Sequence, residues 1–158
     1  MRMDKLDKRI LQELQNNGAI TNLELSEKIG LSASPCARRV KQLEESGIIK
    51  GQVTLLDASK LELKLIALIQ ISMDRHTPDR FEIFEEKVRT FPEVTECLLI
   101  TGQSGDYQLK VVIPDMEYYQ ELLLNKITKI EGVTGVHSSF ILREVHSTTE
   151  PPLNHITS

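Results

Sequence analysis

The chain has 158 residues, of which 40% are apolar, so it is long enough to form one large domain or two small ones around a hydrophobic core. This composition excludes a disordered chain. No apolar run approaches the roughly 18 to 20 residues that a membrane-spanning helix needs, and the first ten residues alternate charged and apolar side chains, unlike a secretory signal. We therefore expect a cytoplasmic protein with no membrane segment. The formal net charge of −4 argues, over the whole chain, against a nucleic-acid binder.

The charge is unevenly distributed between the two ends of the chain. Residues 1–50 contain nine Lys and Arg against seven Asp and Glu, a net charge of +2, whereas residues 51–158 contain ten against sixteen, a net charge of −6. Such an asymmetry indicates a nucleic-acid-binding module joined to a second module. The apolar spacing also changes, from helical spacing up to residue 47 to strand-like runs from about residue 63.

The first segment of the chain predicts two short helices. Helix one is expected over Asp4 to Asn17, where apolar residues recur at helical spacing, and it ends before Gly18. Thr21 and Glu24 have the spacing of a capping box, in which the two side chains bind backbone N–H groups at the start of a helix. Helix two therefore begins after Thr21 and is expected to end at Gly30.

A third helix is predicted to begin near Ser32, with a proline in its first turn and Gly47 after its end. Residues 48–56 then predict a two-stranded wing that turns at Lys50 and Gly51. Three short helices followed by a small wing are typical of a winged helix-turn-helix.

Helix three has an apolar face and a polar face. At about 100° per residue, Cys36, Val40 and Leu43 share the face that packs on the other helices. We expect Arg38 and Gln42, on the opposite face, to contact base edges in a major groove, and the flanking charged residues to contact phosphates together with the first turn of helix two. A solvated surface helix is the alternative interpretation. The predicted DNA-binding residues are Thr21, Asn22, Ser32, Ser34, Pro35, Arg38, Arg39, Lys41 and Gln42.

The second half of the chain predicts the order β-α-β-β-α-β of a ferredoxin-like domain. The elements are expected at residues 63–73, 78–91, 94–101, 107–113, 115–129 and 133–145. The fold class is therefore α+β. We expect a winged helix-turn-helix at residues 1–53, a linker at 54–62, the ferredoxin-like domain at 63–147, and a C-terminal tail at 148–158 that leaves the core.

A polar, glycine-rich loop interrupts this apolar domain. Its two glycines, Gly102 and Gly105, let backbone N–H groups approach an anion, and Asp106 can accept hydrogen bonds from an ammonium group. Those two functions suit the zwitterion of a free amino acid. A plain hairpin turn is the alternative, because glycine, serine and aspartate are common turn residues. The candidate loop comprises Thr101, Gly102, Gln103, Ser104, Gly105 and Asp106.

The sequence gives no indication of an enzyme or of a metal site. The four histidines form no metal-binding pair and no catalytic arrangement with a carboxylate or a thiol. Cys36 and Cys97, which we expect to be buried and unreactive, lack the spacing of a zinc site or a disulfide framework. We therefore expect no metal and no cofactor, and no small-molecule ligand other than a free amino acid at the glycine-rich loop. The features described so far favour a DNA-binding protein that also binds a free amino acid. Two alternative functions remain open: a metabolite-binding subunit that regulates an enzyme, and an architectural DNA-binding protein that binds no small molecule.

Four motifs, taken together, indicate a known family. They are Asp4-x-x-Asp7-x-x-Ile10-Leu, Leu25-Ser-x-x-Ile-Gly-Leu-Ser32, Arg39-Val40-x-x-Leu43-Glu44-x-x-Gly47-Ile48-Ile49, and Thr101-Gly102 followed by Asp106-Tyr107. In this combination the chain resembles, over nearly its whole length, the Lrp/AsnC group of transcription regulators.

The resemblance implies a DNA-binding domain joined to an amino-acid-sensing domain, dimers that assemble toward an octamer of four dimers, and control of genes of amino-acid metabolism. It also implies that the Gly102–Asp106 loop is an effector loop, in a site formed between neighbouring dimers. Apolar residues at the implied positions Leu99 and Met116 favour leucine or methionine as the effector. The positions that the resemblance assigns to the effector response are Leu99, Asp106, Met116, Ser139, Phe140 and Ile141.

Overall fold

The computed structural model describes residues 2–102 and 105–157. The chain has the predicted α+β composition and divides into two compact units. The first unit runs up to Leu55 and includes the C-terminal segment from Val145, and the second comprises Leu56–Glu144. None of the helices in the described part of the chain is long and apolar enough to cross a membrane.

Three helices form the first unit, as the sequence predicts: α1 at Lys5–Asn16, α2 at Asn22–Ile29 and α3 at Ala33–Glu45. Asp4 and Thr21 cap α1 and α2 through complete capping boxes, and Gly30 ends α2 at a φ of +77°, which a residue without a Cβ adopts without strain. The buried apolar side chains of the three helices form one core. Its members are Ile10, Leu11, Leu25, Ile29, Cys36 and Leu43.

The segments that flank the three helices differ from the sequence predictions. Residues 48–57 form no strand, so the predicted two-stranded wing is absent from that described range. Residues 50–57 are all exposed, and two strands without a buried face are at best marginally stable. The tail does not leave the core, because Leu153 packs against the helical core and Lys8 Nζ donates to the Ile156 carbonyl at 3.2 Å.

The second unit contains a four-stranded antiparallel sheet in the order β2-β3-β1-β4, with the β-α-β-β-α-β connectivity that the sequence predicts. The helix predicted at residues 115–129 ends in a 3-10 turn, and another 3-10 turn precedes the first strand of the sheet. The elements are a 3-10 helix at Ala58–Leu61, β1 at Leu65–Met73, α4 at Pro78–Arg89, β2 at Val94–Leu99, β3 at Tyr107–Ile113, α5 at Met116–Asn125, a 3-10 helix at Ile127–Lys129 and β4 at Val133–Phe140.

Strict alternation along β1 and β3 gives the sheet two different faces. One face packs on α4 and α5, where Phe84, Val88 and Leu122 are buried against alternate residues of the two central strands. The other residues of these strands lie on the opposite face and are only partly buried. We call this second surface the open sheet face. Its members on the three strands β1, β3 and β4 are Ile66, Leu68, Gln70, Gln108, Lys110, Val112, His137 and Ser139.

Candidate functional site

The outer face of α3 is polar and exposed, as expected for a helix that contacts DNA. Ser34, Arg38, Lys41 and Gln42 are exposed, and Pro35 in the first turn is partly buried. The opposite face contributes Cys36 and Leu43 to the core, with Val40 packed beside them. The side chains that start this helix are small, which lets its N-terminal end approach base edges closely.

Arg39 differs from the other basic residues of α3. Its Nη1 donates to Asp7 Oδ1 at 2.7 Å and to Asp4 Oδ2 at 2.9 Å, and its side chain is 28% exposed. The hydrogen bond to Asp7 raises the pKa of Arg39, and the backbone N–H of Asp7, together with Arg39, lowers the pKa of Asp4. This geometry does not support the prediction that Arg39 contacts phosphates, because two carboxylates of the same chain already neutralise it.

The start of α2 presents backbone N–H groups at an exposed surface. Thr21 and Asn22 are both exposed, as is Ser32 at the start of α3. The hydroxyl of Thr21 accepts from the Glu24 backbone N–H at 3.2 Å and donates to the Glu24 carboxylate at 2.7 Å. The backbone N–H of Thr21 also donates to Glu24 Oε2, at 2.9 Å, so both donors of Thr21 are already bound within the capping box.

The candidate effector loop lies between β2 and β3. Gly102 has a φ of +150°, and a Cβ on Gly105 would lie 3.0 Å from the Ile71 carbonyl oxygen. Glycine is thus favoured at both positions, at the first by backbone conformation and at the second by the close approach of the loop to β1. Thr101 is exposed. The predicted residues Gln103 and Ser104 lie outside the described residues.

Asp106 is fixed by three hydrogen bonds and an ion-pair contact rather than exposed in a free turn. Its backbone N–H donates to the Ile71 carbonyl at 2.7 Å, and its own carbonyl accepts from the Ile100 N–H at 2.9 Å. Its carboxylate accepts from the Met73 backbone N–H at 2.7 Å through Oδ2, and His76 Nε2 lies 2.7 Å from Oδ1. The side chain is 21% exposed. The carboxylate therefore remains accessible at one side while it joins the loop to the end of β1.

The structure divides the predicted effector residues of one chain into two groups. Leu99 and Asp106 lie at the end of the sheet where Ile71 pairs with Tyr107. Ser139 and Phe140 pair with β1 three and four residues further along, roughly 10 and 13 Å away, and Met116 begins α5 beyond the far end of β3. Leu99 and Met116 are exposed, whereas Phe140 is partly buried with its ring 5.0 Å from that of Tyr119. Ser139 and Phe140 belong to opposite faces of β4.

Sequence reasoning missed His76 as a neighbour of the loop. The imidazole lies in the β1–α4 connection, thirty positions from Asp106, and no local spacing relates the two residues. The expectation for Cys97 was also wrong, because this residue is exposed on β2, an outer strand of the sheet order. In the described ranges 2–102 and 105–157, no three His, Cys, Asp or Glu residues form a group that could hold a metal ion.

Two known protein families match this chain, one in each half of the sequence. Residues 3–50 match the winged helix-turn-helix DNA-binding family, and residues 66–151 match the Lrp/AsnC ligand binding domain. The chain is also 39% identical over 143 residues to the leucine-responsive regulatory protein of Escherichia coli (strain K12), which covers 90% of this chain and 87% of that protein.

Two solved structures with the same fold are transcriptional regulators. A regulator from Neisseria meningitidis, solved as a complex with L-Met, is 43% identical, with a TM-score of 0.93 over 98% of this chain and 99% of that chain. An AsnC family regulator from Agrobacterium tumefaciens is 37% identical, with a TM-score of 0.92 over 98% of this chain and 100% of that chain.

Proposed function

Because this chain belongs to the Lrp/AsnC family of transcriptional regulators, which are not enzymes, we propose that it is a sequence-specific DNA-binding regulator of amino-acid metabolism whose activity or assembly responds to a free amino acid. It acts in the cytoplasm, because the DNA that it binds is located there. The observation on which the proposal rests is that one chain combines an exposed polar face on α3 with a glycine loop anchored through Asp106.

DNA binding is assigned to α3 and to the start of α2. Arg38 and Gln42 contact base edges, because they lie on the exposed face of α3 opposite the buried Cys36 and Leu43. Lys41 contacts a phosphate: its side chain is 74% exposed, and its ion pair with Glu45 is long, at 3.7 Å. The exposed residues that line this surface are Thr21, Asn22, Ser32 and Ser34, with the partly buried Pro35 beside them.

The effector is L-methionine or L-leucine. The loop N–H groups near Gly102 and Gly105 bind its carboxylate, and Asp106 binds its ammonium group. The exposed Leu99 contacts its apolar side chain. A relative at 43% identity was solved with L-Met, and relatives at 39% identity are leucine-responsive regulators, which supports these two amino acids above charged ones.

The regulator assembles as a symmetric dimer through the open sheet face, and four dimers form an octamer. Leu68 and Val112 on this face are apolar and only partly buried within one chain, as expected of a surface that pairs with a second copy. Met116 and Ser139 lie apart from Asp106 within one chain. A site that combines Asp106 with Met116 and Ser139 therefore takes these residues from neighbouring copies.

Two titrations test the proposal. In the first, the twenty amino acids are titrated calorimetrically into the full chain, and we expect heat of binding for L-methionine or L-leucine. In the second, fluorescence anisotropy measures binding to a DNA site selected from a random pool, with and without the bound amino acid. The proposal requires the amino acid to change either DNA affinity or assembly. Amino-acid binding without any DNA binding would instead favour a subunit that regulates an enzyme, and DNA binding without any amino-acid binding would favour an architectural protein.

A further inference from the structure

The two oxygens of the Asp106 carboxylate have different neighbours, a backbone N–H group and an imidazole nitrogen. Oδ2 accepts a hydrogen bond from the Met73 backbone N–H at 2.7 Å, and Oδ1 lies 2.7 Å from His76 Nε2. An imidazole that carries its proton on Nε2 can donate to a carboxylate oxygen at this distance. An ammonium group that approaches Oδ1 from this side therefore meets the imidazole ring.

The Met73 donor cannot move away without disturbing the sheet. Met73 is the last residue of β1 and its side chain is buried, and the neighbouring Ile71 carbonyl accepts from the Asp106 N–H at 2.7 Å. These backbone hydrogen bonds fix the carboxylate relative to β1. Oδ2 is for this reason a structural acceptor.

The His76 donor can move away at little cost. Its side chain is 67% exposed and lies in the connection between β1 and α4, outside regular secondary structure. Its ring makes one described aromatic contact, an edge contact with Phe81 at 6.1 Å between centroids. Exposed ion pairs contribute little stability, so rotation of His76 releases Oδ1 and leaves the hydrogen bonds between Asp106 and β1 in place.

We propose that His76 sets the affinity of the effector site by competing with the amino acid's ammonium group for Asp106 Oδ1. This inference rests on the proposed function, because it takes Asp106 as the ammonium acceptor. The imidazole ring stands 2.7 Å from Oδ1, so an ammonium group cannot occupy the same position beside this oxygen until the ring moves. The observed dissociation constant is then the intrinsic one divided by the fraction of chains in which Oδ1 is released.

The competition has a predicted direction and size. Removing the His76 donor leaves every chain competent for the ammonium group, so the amino acid binds more tightly. Exposed charge pairs are worth little, and we expect the dissociation constant to fall about two- to fivefold. A residue that only supported the loop would have the opposite effect, because its loss would weaken binding.

The test is calorimetric titration of L-methionine and L-leucine into the full chain and three variants. His76→Phe keeps a ring against Phe81 and removes the donor, and we expect the two- to fivefold tightening. His76→Gln keeps an N–H donor of similar reach and should bind as the wild type does. Arg75→Gln removes a neighbouring exposed charge without touching Oδ1 and should also leave affinity unchanged.

The outcomes separate the inference from the proposed function. Unchanged or weaker binding by His76→Phe overturns the role of His76, and the effector site stands if Asp106→Asn still weakens binding. Equal tightening in Arg75→Gln would overturn it too, since net charge would then explain the effect. If Asp106→Asn binds as the wild type, or if the wild type binds neither amino acid, the proposed effector site fails, and the inference fails with it.

Discussion

Arg39 Nη1 donates to Asp7 Oδ1 at 2.7 Å, although the two residues are 32 positions apart in the chain. The Asp7 side chain is 6% exposed, and its other oxygen accepts from the Asp4 backbone N–H at 3.0 Å as part of the α1 capping box. One carboxylate therefore caps α1 and also holds α3. The pair therefore helps to fix the orientation of α3, the helix proposed to contact DNA.

We predict that Arg39→Gln lowers the free energy of unfolding by about 1 to 3 kcal/mol, because the buried Asp7 carboxylate loses its charged partner. Urea denaturation of the full chain, followed by circular dichroism, measures the change. DNA affinity should fall at the same time, since α3 is less well fixed. Lys41→Gln is the matched control, and it should weaken DNA binding with no loss of stability. Unaltered stability of Arg39→Gln would remove the structural role assigned to this pair.

Arg38 and Lys41 should affect DNA binding in different ways. Arg38→Ala should cost roughly 1 to 3 kcal/mol of binding free energy and relax specificity at one base pair, because its partner is a base edge. Lys41→Ala should weaken binding to all sequences alike and reduce the slope of log affinity against log salt by about one. Anisotropy titrations on matched and single-mismatch duplexes at several salt concentrations distinguish the two. The same loss for every duplex with Arg38→Ala would assign Arg38 to the backbone instead.

Local patterns were sufficient to predict most of the fold. The limits of α2 follow from Thr21, Glu24 and Gly30, all of which act within one helical turn of the ends. The alternation along β3 predicts a strand with one buried face, and the structure has this alternation from Tyr107 to Ile113. In both cases the information lies in neighbouring residues.

The parts that could not be predicted depend on partners distant in the sequence. The helical wheel places Arg39 at the edge of the apolar face but does not show the two α1 carboxylates beside it. The wing pattern at residues 48–56 has the composition of a hairpin, yet its stability depends on a buried face that local sequence does not specify. Likewise, the loop motif identifies Asp106 but not its neighbour His76. It also does not show that the loop and Met116 lie at opposite ends of β3.

Asp106 should contribute to stability as well as to effector binding. Asp106→Ala removes the acceptors for the Met73 N–H and for His76, so we expect a loss of about 1 to 3 kcal/mol in the free energy of unfolding. This exceeds the less than about 0.5 kcal/mol typical of an exposed turn residue. Asp106→Asn keeps an acceptor for Met73 and should be less destabilised, while effector affinity falls roughly ten- to a hundredfold. Thermal unfolding together with calorimetry separates the two effects, and a fully stable Asp106→Ala would contradict the anchoring role.

Glu93 provides a test of pH dependence. Burial acts to raise the pKa of this carboxyl, but the hydrogen bonds from Lys126 at 2.7 Å and from the Tyr118 hydroxyl at 2.9 Å prevail, and the pKa is lowered overall. A lowered carboxyl pKa stabilises the fold above the ordinary glutamate value of about 4.3, and this contribution is lost as the pH falls through the lowered pKa.

We therefore predict that Glu93→Gln is less stable than the wild type by about 1 kcal/mol at pH 7, and that the difference shrinks as the pH falls below about 4.3. Urea denaturation at a series of pH values measures both proteins under the same conditions. Glu86→Gln, at an exposed position of α4, serves as the control and should match the wild type throughout. A difference between Glu93→Gln and the wild type that is constant with pH would exclude titration of Glu93 as its cause.

The open sheet face should determine assembly. Leu68 lies on this face of β1, opposite Lys110 on β3 and Ser139 on β4, and is only partly buried within one chain. Leu68→Glu introduces a negative charge. In a monomer this charge can pair with Lys110 and stays in contact with water, whereas in a dimer interface it would be buried, which destabilises the dimer. We expect the wild type to sediment as a dimer or a multiple of dimers up to eight protomers, and the variant to shift toward the monomer with unchanged circular dichroism. Glu82→Ala, at an exposed position of α4, should sediment as the wild type does. A wild type that remains monomeric at micromolar concentration would contradict the dimer, and a Leu68→Glu variant that assembles normally would place the interface on another surface.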